Sequence, residues 1–117
     1  MHEYGLCEGI LDTVRRRAAG RPVRRVLVRI GVKHAASPEP MALAFAVVAA
    51  GTEAADARLE LVAVPARLAC RDCGARAETL DLLALCPACG RDRVDLDGGD
   101  ELTLVEVEYA AAAAERS

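Results

Sequence analysis

Aromatic side chains are nearly missing from this chain: it has one phenylalanine (Phe45), two tyrosines (Tyr4 and Tyr109) and no tryptophan. Although 53% of the residues are hydrophobic, a core must therefore be assembled from Val, Leu, Ile and Ala. The stacking platforms that single-stranded nucleic acid requires are absent as well. No apolar run approaches the roughly 20 residues of a membrane span. The opening MHEYGLCEGI carries two acids and no apolar stretch long enough for a secretory signal. These absences point to a cytoplasmic protein with reduced thiols, with no membrane and no nucleic acid among its partners. No nucleophile–base pair, phosphate-cradling glycine loop or carboxylate dyad is visible either, so an enzyme is not expected.

Against this background the five cysteines stand out. Four of them form CRDCG and CPACG, placing Cys70, Cys73, Cys86 and Cys89 as two C-x2-C pairs, each followed by a glycine (Gly74 and Gly90). Four thiolates at this spacing suit one tetrahedral Zn2+ with Zn–S bonds of about 2.3 Å. The glycine after each pair permits the left-handed backbone that such a turn needs. A site with four protein ligands has no open position, so the zinc is structural. A pair of disulfides would need an exported chain, and a redox C-x-x-C would need only one pair. Cys7 lies instead on an apolar helical stripe and reads as a small buried side chain.

The chain has 117 residues and a net charge of −3, which suits one small domain or one domain carrying an insertion. A core of this size is modest, so a metal clasp is a useful supplement. Charge is segregated along the sequence. Residues 13–38 hold eight basic residues and no acid; residues 92–108 hold seven acids against Arg93 alone. Two blocks of this kind either pair with each other or form a solvated or protein-docking face.

Apolar periodicity predicts a helix over 5–19, stopped by Gly20 and Pro22, and a strand over 23–31. His34 falls in the polar turn that follows. Ser37 and Pro38 then start a second helix that runs to Gly51. A strand is predicted over 57–69, with Pro65 marking an edge or an exit toward the cysteines. The cysteine module comes next, with a small hairpin expected between its pairs, and a last strand covers 102–109. The fold class expected is α+β: a three-stranded sheet with two helices and an inserted zinc-ribbon module. In domain terms, residues 1–66 with 99–117 are expected to form an α/β domain and residues 67–98 a zinc-binding insertion.

The nickel reading begins at Met1-His2-Glu3. The terminal amine, the His2 amide nitrogen and the His2 imidazole can wrap one metal in fused chelate rings, and nitrogen-rich tetragonal sites suit Ni2+ or Cu2+. A histidine at position 2 alone says little. The opening MHE, the helix CEGIL, the strand end VRIG, the segment SPEPMALAFAVVAAGTEAADARLELVAVPA, both knuckles and the return GGDELTLVEVEY together resemble the hydrogenase and urease nickel-incorporation family (HypA/HybF). The resemblance covers residues 1 to about 109. It implies a metallochaperone that carries Ni2+ as transient cargo through His2, with Glu3 beside it, and holds structural Zn2+ through Cys70, Cys73, Cys86 and Cys89. It also implies partners: a hydrogenase maturation GTPase (HypB-like), a [NiFe]-hydrogenase large-subunit precursor and, for some members, urease maturation proteins. The loop GVKHAASPEP departs from the family pattern in being basic, which bears on partner contacts through Lys33 and His34. The other function class compatible with the cysteines is a zinc-ribbon adaptor that binds protein or nucleic acid without transferring nickel.

Overall fold

The structure is a computed structural model that describes residues 2–111. Helix α1 spans His2–Ala18 and buries Cys7, Ile10, Leu11, Val14 and Ala18 on one face. It starts three residues before the expected position. No helix breaker stands among residues 2–4, and Glu3 in the first turn complements the helix dipole, as Arg15 to Arg17 do in the last. Ala19 and Gly20, both with positive φ, end it. Helix α2 spans Pro38–Ala49 and packs against α1. Ser37 takes the N-cap position in extended conformation, but its hydroxyl makes no capping bond. Little is left for it to satisfy: Pro38 and Pro40 carry no N–H, and the Met41 N–H donates to the Ser37 carbonyl at 3.0 Å. Met41, Ala44, Phe45 and Ala49 of α2 are buried.

The strands are β1 (Val23–Gly31), β2 (Arg58–Val64), β3 (Ala66–Cys70), β4 (Arg76–Thr79), β5 (Val94–Asp97) and β6 (Leu102–Tyr109). They form two three-stranded sheets, ordered β2-β1-β6 and β4-β3-β5. In β1, Val26, Val28 and Ile30 are buried in alternation with the more exposed Arg25, Leu27 and Arg29. The run predicted as one strand over 57–69 is two. Pro65 has no N–H to give to a ladder, so pairing stops there and resumes in the other sheet. The hairpin expected within the segment between the cysteine pairs does not form. Its first half is β4, which pairs antiparallel with β3, and its second half is turns. Strand β5, not anticipated from the sequence, covers the opposite edge of β3.

The chain divides into two compact units, Met1–Val28, Ala36–Leu61 and Thr103–Ser117 in one, and Arg29–Ala35 with Val62–Leu102 in the other. In the first, the core is the facing stripes of α1 and α2 with Val23, Val26, Val28 and Ala54. In the second, it is Ile30, Val64, Ala66, Leu68, Cys70 and Cys86.

The segregated charges meet in space. Arg25 in the central strand β1 bonds Glu60 of β2 at 2.7 Å and Glu106 of β6 at 3.2 Å, and Arg24 bonds Glu108 at 2.8 Å. In the second unit, Arg67 stands opposite Asp97 in the β3–β5 register and bonds it at 2.6 Å, while Arg71 bonds Asp95 at 2.7 Å. The hydrogen bonds from Arg67 and Arg71 hold the Asp97 and Asp95 carboxyls below the usual carboxylate range. All but the half-buried Arg25–Glu60 pair are exposed, and an exposed pair contributes little alone. Together the pairs engage Asp95, Asp97, Glu106 and Glu108 of the acidic block, but only Arg24 and Arg25 of the basic one.

One close approach fixes the end of β1. The Gly31 N–H donates to the Glu101 carbonyl and the Lys33 N–H to the Gly99 carbonyl, both at 2.7 Å. A Cβ on Gly31 would collide with the Gly99 carbonyl, whereas nothing lies within 4 Å of one on Gly9 in the exposed face of α1. Gly31→Ala is therefore expected to destabilise the protein by about 1–3 kcal/mol through overpacking. Gly9→Ala should stabilise it by about 0.5–1 kcal/mol through helix propensity. Chemical unfolding of both zinc-loaded variants, monitored by circular dichroism, checks the opposite signs.

Candidate metal centres

The four paired cysteines come together at one end of β3. Their ligand atoms all lie within 4.8 Å of one another, and they are the one cluster of three or more metal-capable side chains among the described residues. The two C-x2-C turns are built alike. In the first, the Cys70 N–H donates to the Ala75 carbonyl (2.9 Å) and the Gly74 N–H to the Cys70 carbonyl (3.0 Å). In the second, Cys86 N–H reaches Arg91 (2.9 Å) and Gly90 N–H reaches Cys86 (2.8 Å). Gly74 and Gly90 both have φ +76, the left-handed conformation that the sequence pattern requires. Within each turn the first sulfur accepts two backbone N–H groups. Cys70 Sγ takes those of Asp72 (3.4 Å) and Cys73 (3.5 Å), and Cys86 Sγ takes those of Ala88 (3.4 Å) and Cys89 (3.5 Å).

This donor set fits zinc. Four sulfurs around Zn2+ at about 2.3 Å stand about 3.8 Å apart in a tetrahedron. Here Cys73 Sγ and Cys86 Sγ are 3.5 Å apart, and Cys70 Sγ and Cys89 Sγ 3.7 Å. The electrostatics also ask for a cation. The Cys86 thiol is pulled down to about 6, first by the Cys89 backbone N–H. The Cys73 thiol, although the Ala75 N–H favours its thiolate, is pushed up to about 12 by its neighbours in the cluster. One thiolate is easily formed and the next is not, unless a divalent cation offsets the repulsion. The turns are braced from outside: Arg71 N–H donates to the Arg93 carbonyl at 2.8 Å, and Arg93 pairs with Asp72 at 3.4 Å.

The N-terminal candidates occupy the first turn of α1. His2 Nδ1 lies 3.6 Å from a Glu3 carboxylate oxygen, and the two side chains are 54% and 20% exposed, so the imidazole is open to solvent. The Glu3 carboxyl is held below its ordinary range, first by its own backbone N–H and then with help from His2. A helix's first-turn amides have no carbonyl four residues back, so deprotonating the His2 amide costs the helix no internal bond. The terminal amine belongs to Met1, which lies outside the described residues.

The remaining metal-capable side chains are accounted for otherwise. Cys7 is fully buried, its thiol donating to the Met41 carbonyl at 3.4 Å and lying 4.0 Å from the Met41 sulfur. Burial, with the Glu3 charge, pushes it up to about 11, so it stays a neutral thiol in the core. His34 ends a short 3-10 turn (Val32–His34), and its Nε2 is 2.9 Å from the Asp100 carbonyl oxygen. Sequence reasoning missed the supports of the cysteine site, Arg71–Asp95 and Arg93–Asp72, because the register of β5 beside β3 is what brings them together.

Comparison with known proteins agrees with this arrangement. Residues 1–109 match the family model described as hydrogenase/urease nickel incorporation, metallochaperone, hypA. Hydrogenase maturation factor HypA of Rhodopseudomonas palustris (strain BisA53) is 37% identical over 111 residues, covering 92% of this chain and 98% of its own. The factor of the same name from Dechloromonas aromatica is 38% identical over 112 residues with the same coverage, and that of Cereibacter sphaeroides 40% over 111. Among solved structures, the Ni metallochaperone HypA from Helicobacter pylori shares the fold with a TM-score of 0.59 at 24% identity, covering 93% of this chain and 97% of that one. With two helices, a three-stranded sheet, a four-cysteine module and a family match that runs almost end to end, the chain belongs to the hydrogenase/urease nickel-incorporation metallochaperone family, HypA.

Proposed function

We propose that this protein is a nickel metallochaperone that binds Ni2+ at its N-terminus and delivers it for maturation of a [NiFe]-hydrogenase. The observation that supports this best is the placement of His2 and Glu3 in the first turn of α1, with a solvent-open imidazole next to a carboxylate. The ligands would be the Met1 amine, the His2 amide nitrogen and the His2 imidazole, with Glu3 as auxiliary ligand or hydrogen-bond acceptor. Cys70, Cys73, Cys86 and Cys89 would hold the structural Zn2+. The functional division is then a nickel-binding domain of residues 1–66 with 99–117 and a zinc-binding insertion of residues 67–98.

Delivery needs no chemistry at the protein itself, so it acts as a carrier and not as an enzyme. Its partners would be a HypB-like maturation GTPase and the hydrogenase large-subunit precursor, in the cytoplasm, with a urease maturation pathway as a second client. No helix among the described residues is long and apolar enough to cross a membrane, in keeping with that setting.

Two expectations test this reading. First, the purified chain should carry one zinc, and acid should release it: ligand thiolates bind protons as pH falls, so the metal is retained at neutral pH and lost below it. Elemental analysis of the reduced protein checks the stoichiometry; much less than one zinc per chain contradicts the site. Second, calorimetric nickel binding should strengthen as pH rises through about 6.5–8, where metal competes with protons on imidazole and amine nitrogens. His2→Ala should abolish binding while leaving zinc content and circular dichroism unchanged, and Glu3→Gln should weaken it less. An N-terminal extension should weaken binding and a C-terminal one should not. Undiminished binding by the extended protein removes the amine from the ligand set, and undiminished binding by His2→Ala removes the proposal.

A further inference from the structure

We propose that the four-cysteine site is also an oxidation site for peroxides, in which hydrogen peroxide joins Cys73 to Cys86 and Cys70 to Cys89, across the two turns, and expels the zinc. The inference rests on the zinc reading above and goes beyond it by naming which sulfurs react and which pair.

The cluster is unequally accessible. Cys73 and Cys89 are exposed, whereas Cys70 and Cys86 are buried. The sulfur of each exposed cysteine is in contact with that of the buried cysteine of the other turn: Cys73 with Cys86 at 3.5 Å, and Cys89 with Cys70 at 3.7 Å. A small oxidant therefore meets Cys73 or Cys89 first, and the nearby buried sulfur stands ready to resolve the product.

The chemistry balances with peroxide as the only oxidant. A thiolate at Cys73 attacks one oxygen of HOOH; an S–O bond forms, the O–O bond breaks, and hydroxide leaves. The Cys86 thiolate then attacks the sulfenic sulfur; an S–S bond forms, the S–O bond breaks, and a second hydroxide leaves. Two protons convert both hydroxides to water. Cys89 and Cys70 follow the same course with a second peroxide. Two ligands are lost in the first round, so release of the ion accompanies the first disulfide.

The pairing decides what becomes of the module. Disulfides across the turns reproduce the connection that the metal makes, so the segment from Cys70 to Cys89 stays closed after zinc leaves. Disulfides within each C-x2-C would leave the turns unlinked. Cys7, fully buried against Met41, takes no part, so oxidation should consume four thiols of five.

The test uses the full-length zinc-loaded chain, its zinc content measured first, so that a failed zinc site is told apart from a failed oxidation. Hydrogen peroxide is titrated stepwise. Released zinc is read with a chromogenic chelator, and thiols are counted after denaturation. Trypsin, which cuts after Arg67, Arg71, Arg76 and Arg91, separates Cys70 from Cys73 and keeps Cys86 with Cys89. Mass spectrometry should find the three cysteine peptides linked in one species, fragmenting as Cys73–Cys86 and Cys70–Cys89. One thiol should remain, and dithiothreitol with zinc should restore the starting state. The Cys7→Ser protein should behave identically but end with no thiol. A two-peptide Cys70–Cys73 species beside an internally closed Cys86–Cys89 peptide overturns the pairing. Zinc retained while other side chains oxidise, or sulfinic and sulfonic acids in place of disulfides, overturns the proposal.

Discussion

Four sulfur atoms held within 4.8 Å of one another set the conditions under which the unit built around β3 can be ordered. Without a cation the arrangement resists itself: the first thiolate forms readily at Cys86, and the next is opposed, as the upward shift at Cys73 records. The buried set around it is small and aliphatic, with Leu68 its largest fully buried member and Ile30, Val64 and Ala66 beside it. A divalent ion turns the repulsion among the sulfurs into cohesion and supplies what so thin a core cannot. The unit built on α1 and α2 has the opposite economy. Phe45, Met41, Val14 and Cys7 are fully buried there, and ordinary apolar packing is enough.

The charge blocks follow from the same division. Basic residues on β1 and acidic residues on β6 neutralise each other within the β2-β1-β6 sheet, where Arg25 in the middle strand bonds a glutamate on each side. On the other sheet, Arg67 and Arg71 of the segment entering the cysteine turns face Asp97 and Asp95. These exposed pairs contribute less to stability than to register. A one-residue slip of β5 against β3 would set like faces apart and leave each arginine without its carboxylate. The ladder therefore helps fix how β5 lies beside the strand that carries Cys70.

What could be read from the sequence was what is local. The cysteine turns were legible because spacing and a following glycine are sufficient to specify them. The helix stripes were legible because Cys7, Ile10, Leu11 and Val14 recur at helical intervals, and so was β1, where Val26, Val28 and Ile30 alternate with Arg25 and Arg29. What needed a distant partner was not. Pro65 announced an interruption, but not that the chain changes sheets there. The segment VDLD looked like part of an acidic block, and only pairing with β3 makes it a strand. The start of α1 at His2 was missed because nothing at the chain end marks a cap. The proposed nickel role of His2 rests on taking the opening residues together with the cysteine spacing.

The two cysteine turns also show where their sequence is free to vary. In both, the N–H groups that reach sulfur come from the second intervening residue and from the second cysteine, never from the first intervening residue. Pro87 occupies that first position in the second turn, where its missing N–H removes nothing. Arg71 occupies it in the first turn, and there the N–H is spent on the Arg93 carbonyl. Proline is thus a silent letter at position 87 and a misspelling at position 71: the same four-residue word tolerates it in one place and would lose its tie to the neighbouring strand in the other.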